Sequence, residues 1–395
     1  MPFEFHLPSL EEMRATPDGL AMLRMIDDDD FRSALITGCP GSGKTTVSIY
    51  RLVRLLSQGL DVRFVTYQNL LVLAIRNLVQ AQQVAPSNVS TFHKWYCPLT
   101  HSDFRTDDPP TAQQMIERLD RSGLTSGQTT EILIDEGQDL PLCVYEAIPR
   151  YFARCVVGAD NAQQVYEHGA EADDIQGALR TSFEPYRRFS LHRNFRNTYE
   201  TYRFSRQFIP KTNLIAWDEA ILARLERSND RRGPKPSVIA FQDLDRRNEH
   251  LRIVLDNADG NVAILTPRGP RPLKAVDPCE SVDGIYDLVT EMGFPATKYH
   301  HGAPVPADLE RYVVTTFKSA KGMEFDTVVI PRINFSNKIE KAWYVACTRA
   351  RGRLIIYRDL QHPYYDPIRH HCEPDTYDAE ILTARPLIFE RDSPF

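Results

Sequence analysis

The chain has 395 residues, 42% apolar and 25% charged, with a net charge of -6. That length supplies two or three ordinary domains, each able to bury a core, and the acidic balance excludes a protein coated in positive field, so any polyanion must be met in a local groove. The seven cysteines include no CxxC pair and no apolar run approaches the roughly 20 residues of a membrane span, which argues against a zinc ribbon, a disulfide framework or a membrane protein.

The start, MPFEFHLPSLEEM, lacks the basic and apolar regions of a secretory signal, so a cytoplasmic location is expected. Asp27 to Asp30 form a run of four acids that reads as a solvated turn. From Ser33 the chain passes from a short apolar strand through a glycine-rich turn into a helix with Val47, Tyr50, Val53 and Leu56 on one face, and Gly59 is placed to stop that helix. A strand at Arg63–Thr66, a helix over Asn69–Ala81 and an apolar strand at Ile132–Ile134 follow. This alternation predicts an α/β fold with a parallel sheet and helices on both faces.

A second series of strands is expected at Val238–Phe241, Val262–Leu265, Tyr312–Thr316, Thr327–Ile330 and Leu354–Tyr357, with a half-exposed helix over Asp243–Asp256. The polar stretch Ser228–Pro236 reads as a loop or hinge before this second α/β lobe. Beyond Asp359 the chain is rich in Pro, His and Asp and reads as a surface tail. Within it, His370, His371 and Cys372 are capable of holding a metal, but their spacing matches no familiar site.

The segment GCPGSGKT, Gly38 to Thr45, fits the phosphate-loop pattern between strand and helix. Small residues let successive amides curl around a phosphate while the helix directs its positive end at the same anion. Candidate nucleotide contacts are therefore Gly38, Pro40, Gly41, Ser42, Gly43, Lys44, Thr45 and Thr46. Lys44 is placed to meet the β- and γ-phosphates, and Thr45 to offer a hydroxyl to magnesium, which prefers hard oxygen donors. Asp135 and Glu136 end the strand Ile132–Ile134 and so sit at the carboxyl edge of a parallel sheet, where ligands bind. Asp135 is the candidate metal ligand and Glu136 the candidate base for the attacking water.

With ILIDEGQD at Ile132–Asp139, the chain resembles the UvrD, Rep and PcrA group of superfamily one helicases. The matching strings are VTYQN at Val65–Asn69, Thr91–His93, VGADNAQQVY at Val157–Tyr166, LHRNFRNT at Leu191–Thr198, TFKSAKGMEFDTVVI at Thr316–Ile330 and YVACTRAR at Tyr344–Arg351. The resemblance implies two RecA-like lobes with ATP and Mg2+ in the cleft between them. The expected spans are 1–200 for the first lobe, 201–358 for the second and 359–395 for the tail. It also implies that Gln163 touches the γ-phosphate and the water, that Arg196 and Arg349 stabilise phosphoryl charge, and that Phe195 stacks on adenine. Glu324 would lie near the ribose, with Gly322 allowing close backbone approach.

By the same resemblance Tyr67, Phe92 and Tyr166 would stack on the bases of single-stranded DNA, and Thr66, Asn69, Thr91, His93, Thr316 and Lys318 would touch phosphates, without sequence preference. The implied activity is ATP-driven 3′ to 5′ translocation or unwinding. Three departures narrow it. No glutamine precedes the phosphate loop, the first being Gln58, so the family's adenine-reading glutamine is absent and nucleotide preference is open. Tyr166 is followed by EHGA where the family places a stacking tryptophan. About 40 residues separate His93 from Asp135 and about 120 separate Arg196 from Thr316, too few for the family's two accessory insertions as whole domains. A stripped motor is expected, with two alternatives: an ATP-dependent sensor or regulatory subunit controlling a partner nuclease in repair or anti-phage defence, and an RNA-directed ATPase.

Overall fold

The computed structural model describes residues 2–81, 86–125, 129–160, 168–209, 216–227, 231–270, 278–334, 340–361 and 365–383. Gln163 and Tyr166 lie outside the described residues, as do 228–230 of the expected hinge.

Two wholly parallel sheets flanked by helices organise the chain as two RecA-like lobes. The first sheet contains β1 (Ser33–Gly38), β2 (Val62–Thr66), β3 (Val89–Thr91), β4 (Thr129–Ile134), β5 (Phe152–Ala159) and β6 (Tyr186–Leu191), in the order β3-β2-β4-β5-β1-β6. The second contains β7 (Ser237–Phe241), β8 (Val262–Thr266), β9 (Ala296–Tyr299), β10 (Tyr312–Thr316), β11 (Phe325–Ile330), β12 (Ala350–Asp359) and β13 (Asp378–Ile381), in the order β13-β7-β12-β11-β8-β10-β9. Central strands such as β4 and β10 are buried along most of their length, which is why they read as apolar runs rather than alternating ones. The expected helices appear as Asn69–Ala81 and Leu244–Asp256, the latter capped by Asp243.

Several expectations are corrected. Strands β3, β5, β6, β9 and β13 were not expected, and the region beyond Asp359 is not only a surface tail: β13 pairs in parallel with β7 at the sheet edge. The helix after the phosphate loop, Lys44–Ser57, buries Val47, Ser48, Ile49, Arg51, Leu52 and Leu55, so Tyr50, Val53 and Leu56 flank the buried stripe rather than form it. Gly59 follows this helix at φ +76°, and its amide donates to Leu56.

The acid run is not merely solvated. Asp29 accepts from Arg51 at 2.8 Å and Arg54 at 2.7 Å, and Arg51 also donates to Glu131 of β4 at 2.8 Å. Arg51 and Glu131 are both fully buried, which is tolerable only because each is paired. Helix α1 (Leu10–Arg14) and helix α2 (Pro17–Asp27) precede this run, and Arg51 donates to the last carbonyls of α2, fastening the segment to the first sheet. In the C-terminal region His371 bonds the Tyr365 hydroxyl and His370 stacks on the Tyr365 ring. The seven cysteines form no disulfide. Among the described residues no helix is long and apolar enough to cross a membrane.

Candidate active site

Three adjacent strands of the first sheet bring the site together. The phosphate loop leaves β1, the acidic turn leaves β4, and Asp160 leaves β5, which lies between them. Gly41 and Gly43 hold φ of +73° and +99°. At Gly41 a side chain is also excluded by space, because its Cβ would lie 2.5 Å from Cβ of Arg196. The loop therefore curls tightly and packs directly on the turn that carries Phe195 and Arg196, with the Phe195 amide donating to Gly41 at 2.8 Å.

Lys44 is folded back on the loop, donating to the carbonyls of Gly38 at 2.7 Å and Cys39 at 3.0 Å, with Asp160 3.7 Å away. Thr45 Oγ1 donates to Asp135 Oδ2 at 2.8 Å. The other oxygen, Asp135 Oδ1, is buried without a hydrogen-bond partner. A buried carboxylate with one bare oxygen beside a threonine hydroxyl is a donor set suited to a hard divalent cation. Among the described residues no group of three or more His, Cys, Asp or Glu could hold a metal by itself, so such an ion would also depend on ligands from the nucleotide.

The acid turn is held by residues that sequence reasoning did not single out. Gln138 Nε2 donates to Glu136 Oε2 at 2.6 Å, while Gln138 Oε1 accepts the amide of Asp160 at 2.8 Å. Lys321, from the loop between β10 and β11, crosses from the second sheet and donates to Asp139 Oδ1 at 2.6 Å, with Glu136 Oε2 at 3.6 Å. All of these side chains are buried. The signal that could have found them is polarity itself: a lysine and an amide inside motif strings, next to buried strands, need partners of opposite character.

Burial, reinforced by the neighbouring Glu136 charge, pushes Asp135 up to about 7. Burial opposes ionisation of Glu136 too, but the charges of Lys321, Lys44 and Arg349 outweigh it and lower its pKa. Burial pushes Asp139 up to about 6 against the pull of Lys321. Of the three carboxyls, Glu136 is thus the one whose neighbours favour its charged form.

A cavity of about 380 Å³ opens above the phosphate loop, lined by Gly41 to Thr46, Glu136, Phe195, Arg196, Gly322 and Glu324 among others. Gly38 and Pro40 do not line it. Arg196 Nε donates to Glu324 Oε2 at 3.0 Å, joining the first lobe to the second across the cavity. Asn197 Nδ2 makes a parallel link to the carbonyls of Thr348 and Ala350. At Gly322, which lines the cavity, an added Cβ would lie 2.6 Å from Leu71 Cδ2. Arg349 is fully buried and donates to the carbonyls of Val345 at 2.9 Å and Met323 at 3.3 Å, outside the cavity wall. Burial and the nearby Arg196 charge depress its pKa.

The expected nucleic-acid track fares differently. Phe92 is fully buried, stacked on Tyr96 and edge-on to Phe104 in the core, so it offers no ring to a base. Thr91 caps the helix Phe92–Thr100, and Thr316 accepts from Ser319 N and donates to Ser319 Oγ; both are buried, as is Thr66. These three hydroxyls face the protein rather than a groove. Asn69 donates to the Tyr299 hydroxyl of the second sheet at 2.9 Å. Tyr67 and His93 are half-buried and meet edge to face, while Lys318 is exposed.

No protein-family model matches the chain. A stretch of 120 residues is 31% identical to the RecBCD enzyme subunit RecB of Chlamydia pneumoniae, covering 26% of this chain and 11% of that protein. The chain therefore spans about a tenth of the length of that relative. Among solved structures, the C-terminal domain of a possible DNA helicase from Lactobacillus plantarum is 16% identical with a TM-score of 0.32, covering 47% of this chain and 98% of its own. A DEAD box protein from Methanococcus jannaschii is 10% identical with a TM-score of 0.39, covering 93% of this chain and 92% of its own. At those scores neither assigns a role to a residue here.

Proposed function

We propose that the chain is an ATP-dependent single-stranded DNA translocase or DNA helicase that hydrolyses ATP to ADP and phosphate. The observation that carries this reading is the Thr45–Asp135 pair at 2.8 Å beside Glu136, whose carboxylate Gln138 holds at 2.6 Å. That arrangement combines a phosphate cradle, a cation-binding pair and a base in one place. The ordered motif strings extend it to a UvrD-like family, with lobes spanning 1–200 and 201–358. The partial similarity to a RecB subunit supports a role on DNA.

In this reading Lys44 leaves the loop carbonyls for the β- and γ-phosphates. Thr45 and Asp135 would hold Mg2+, which would supply positive charge to the phosphates. Glu136, oriented by Gln138, positions the attacking water and accepts its proton. Arg196 exchanges Glu324 for the γ-phosphoryl oxygens, and Arg349 joins it by a local rearrangement; guanidinium charge there stabilises the loose transition state. Gln163 reports the phosphate to the DNA side, and Phe195 receives the base with Glu324 near the ribose. Lys318, His93, Tyr67 and Tyr166 remain the strand contacts of this proposal, and 3′ to 5′ polarity follows the family.

The test is ATP turnover with single-stranded DNA, duplex DNA, RNA or no polymer. Single-stranded DNA is expected to stimulate most, and stimulation by RNA alone would redirect the substrate. A polymer-independent rate would favour the second reading, an ATP-dependent regulatory subunit controlling a partner nuclease. That reading draws on the RecB match, a subunit of a larger enzyme. A single-strand translocation assay on the isolated chain separates the two.

A further inference from the structure

The cavity is also lined by residues that the hydrolytic mechanism does not use: Phe5, His6, Leu7 and Pro8 of the N-terminal segment, with Arg351 of β12. Arg351 differs from Arg349 two residues earlier. Arg349 donates to backbone carbonyls outside the cavity, whereas Arg351 lines it, is 31% exposed, and has a buried Nη1 that makes no hydrogen bond.

Glu324 fixes where Arg351 lies along the cavity. One of its oxygens accepts from Arg196 and the other is 3.8 Å from Arg351 Nη1. Arg196 is on the phosphate-loop side, packed on Gly41. Arg351 meets the other oxygen of Glu324, and its charge also acts on Glu12 of α1. The N-terminal segment is fastened at both ends. The amide of Phe3 donates to Leu309 at 2.9 Å, Asn261 exchanges hydrogen bonds with both the amide and the carbonyl of Glu4, and Tyr50 donates to Pro8 at 2.7 Å. The segment that lines the cavity is therefore held in place by the fold.

We infer that Arg351 is a nucleoside-binding residue, a donor to the sugar and base of the bound nucleotide in the cavity that Phe195, Glu324 and the Phe5–Pro8 segment also line. A guanidinium suits that task because its in-plane donors bind hydroxyls and base acceptors while its face stacks on a ring. The inference rests on the ATPase reading and adds to it a residue selective for the nucleoside over the phosphates.

The test is competition binding with fluorescent ADP, using ATP, ADP and inorganic tripolyphosphate as competitors. Arg351→Ala is expected to weaken ATP and ADP alike by about tenfold, as expected for a lost charge-assisted hydrogen bond. Tripolyphosphate binding stays within twofold of wild type and the melting temperature is unchanged. Arg351→Lys restores part of the loss. Lys44→Ala weakens all three competitors, which marks the phosphate end. ADP binding by Arg351→Ala within twofold of wild type overturns the inference, as does an equal loss for tripolyphosphate. A wild-type protein that binds none of the three overturns the ATPase reading with it.

Discussion

The phosphate loop and the expected nucleic-acid track both lie at the carboxyl ends of parallel strands, yet they differ in how much of their structure is decided locally. In the loop, Gly41 and Gly43 take positive φ and the helix begins at Lys44, so eight successive residues fix where Lys44 and Thr45 stand. On the track, a threonine or a ring can serve either the fold or a ligand. Thr91 became a helix cap, Phe92 a core ring, Thr316 a turn cap and Asn69 a link to Tyr299. Backbone-coded geometry survives translation into three dimensions, while the placing of side chains depends on neighbours that come from distant parts of the chain.

Substitutions can break that comparison, beginning at the loop. Lys44→Ala is expected to abolish phosphate release; single-strand-stimulated turnover that persists would remove the loop from the mechanism. Glu136→Gln should keep ATP binding within a few-fold and lower kcat by about 10²- to 10⁴-fold, the usual range for loss of a general base. Unchanged turnover would leave Glu136 a structural carboxylate.

Phe92 and Lys318 sharpen the other side. Phe92→Ala is expected to cost about 3–5 kcal/mol in chemical denaturation, because it leaves a cavity among packed rings. Lys318→Ala should change stability by less than about 0.5 kcal/mol while weakening single-strand binding and making its salt dependence shallower by about one phosphate contact. If the Phe92 variant kept full stability and lost DNA affinity, the ring would belong to the track after all.

His93 gives the smallest effect. Burial, with the nearby His301 charge, lowers its pKa below the ordinary 6.5. The unfolded imidazole then binds its proton at higher pH than the folded one, so the contribution of His93 is complete above about pH 6.5 and declines as pH falls toward the folded value. Denaturation midpoints at pH 7.5 and 5.5 should therefore differ less in His93→Gln than in wild type. An equal difference would assign the pH dependence to other groups.

Much of the fold was legible because strands buried on both faces read as short apolar runs, and the helix Asn69–Ala81 was recovered to the residue. Two of the missed strands lack that signature. Strand β6, Tyr186–Leu191, carries two exposed arginines at the sheet edge, and β13 is exposed along its length, held by backbone pairing to β7. Backbone hydrogen bonds leave no mark on side-chain pattern.

By itself, the amino-acid order determined the phosphate loop, the acidic pair at the end of β4 and the repeated α/β plan, because each depends on residues adjacent in the chain. Only the tertiary structure decided what completes them. Lys321 reaches Asp139 across 182 positions, and Glu324 stands between Arg196 and Arg351. Those pairings require two separate sheets to dock, and a buried charge finds its partner by that docking rather than by its place in the chain.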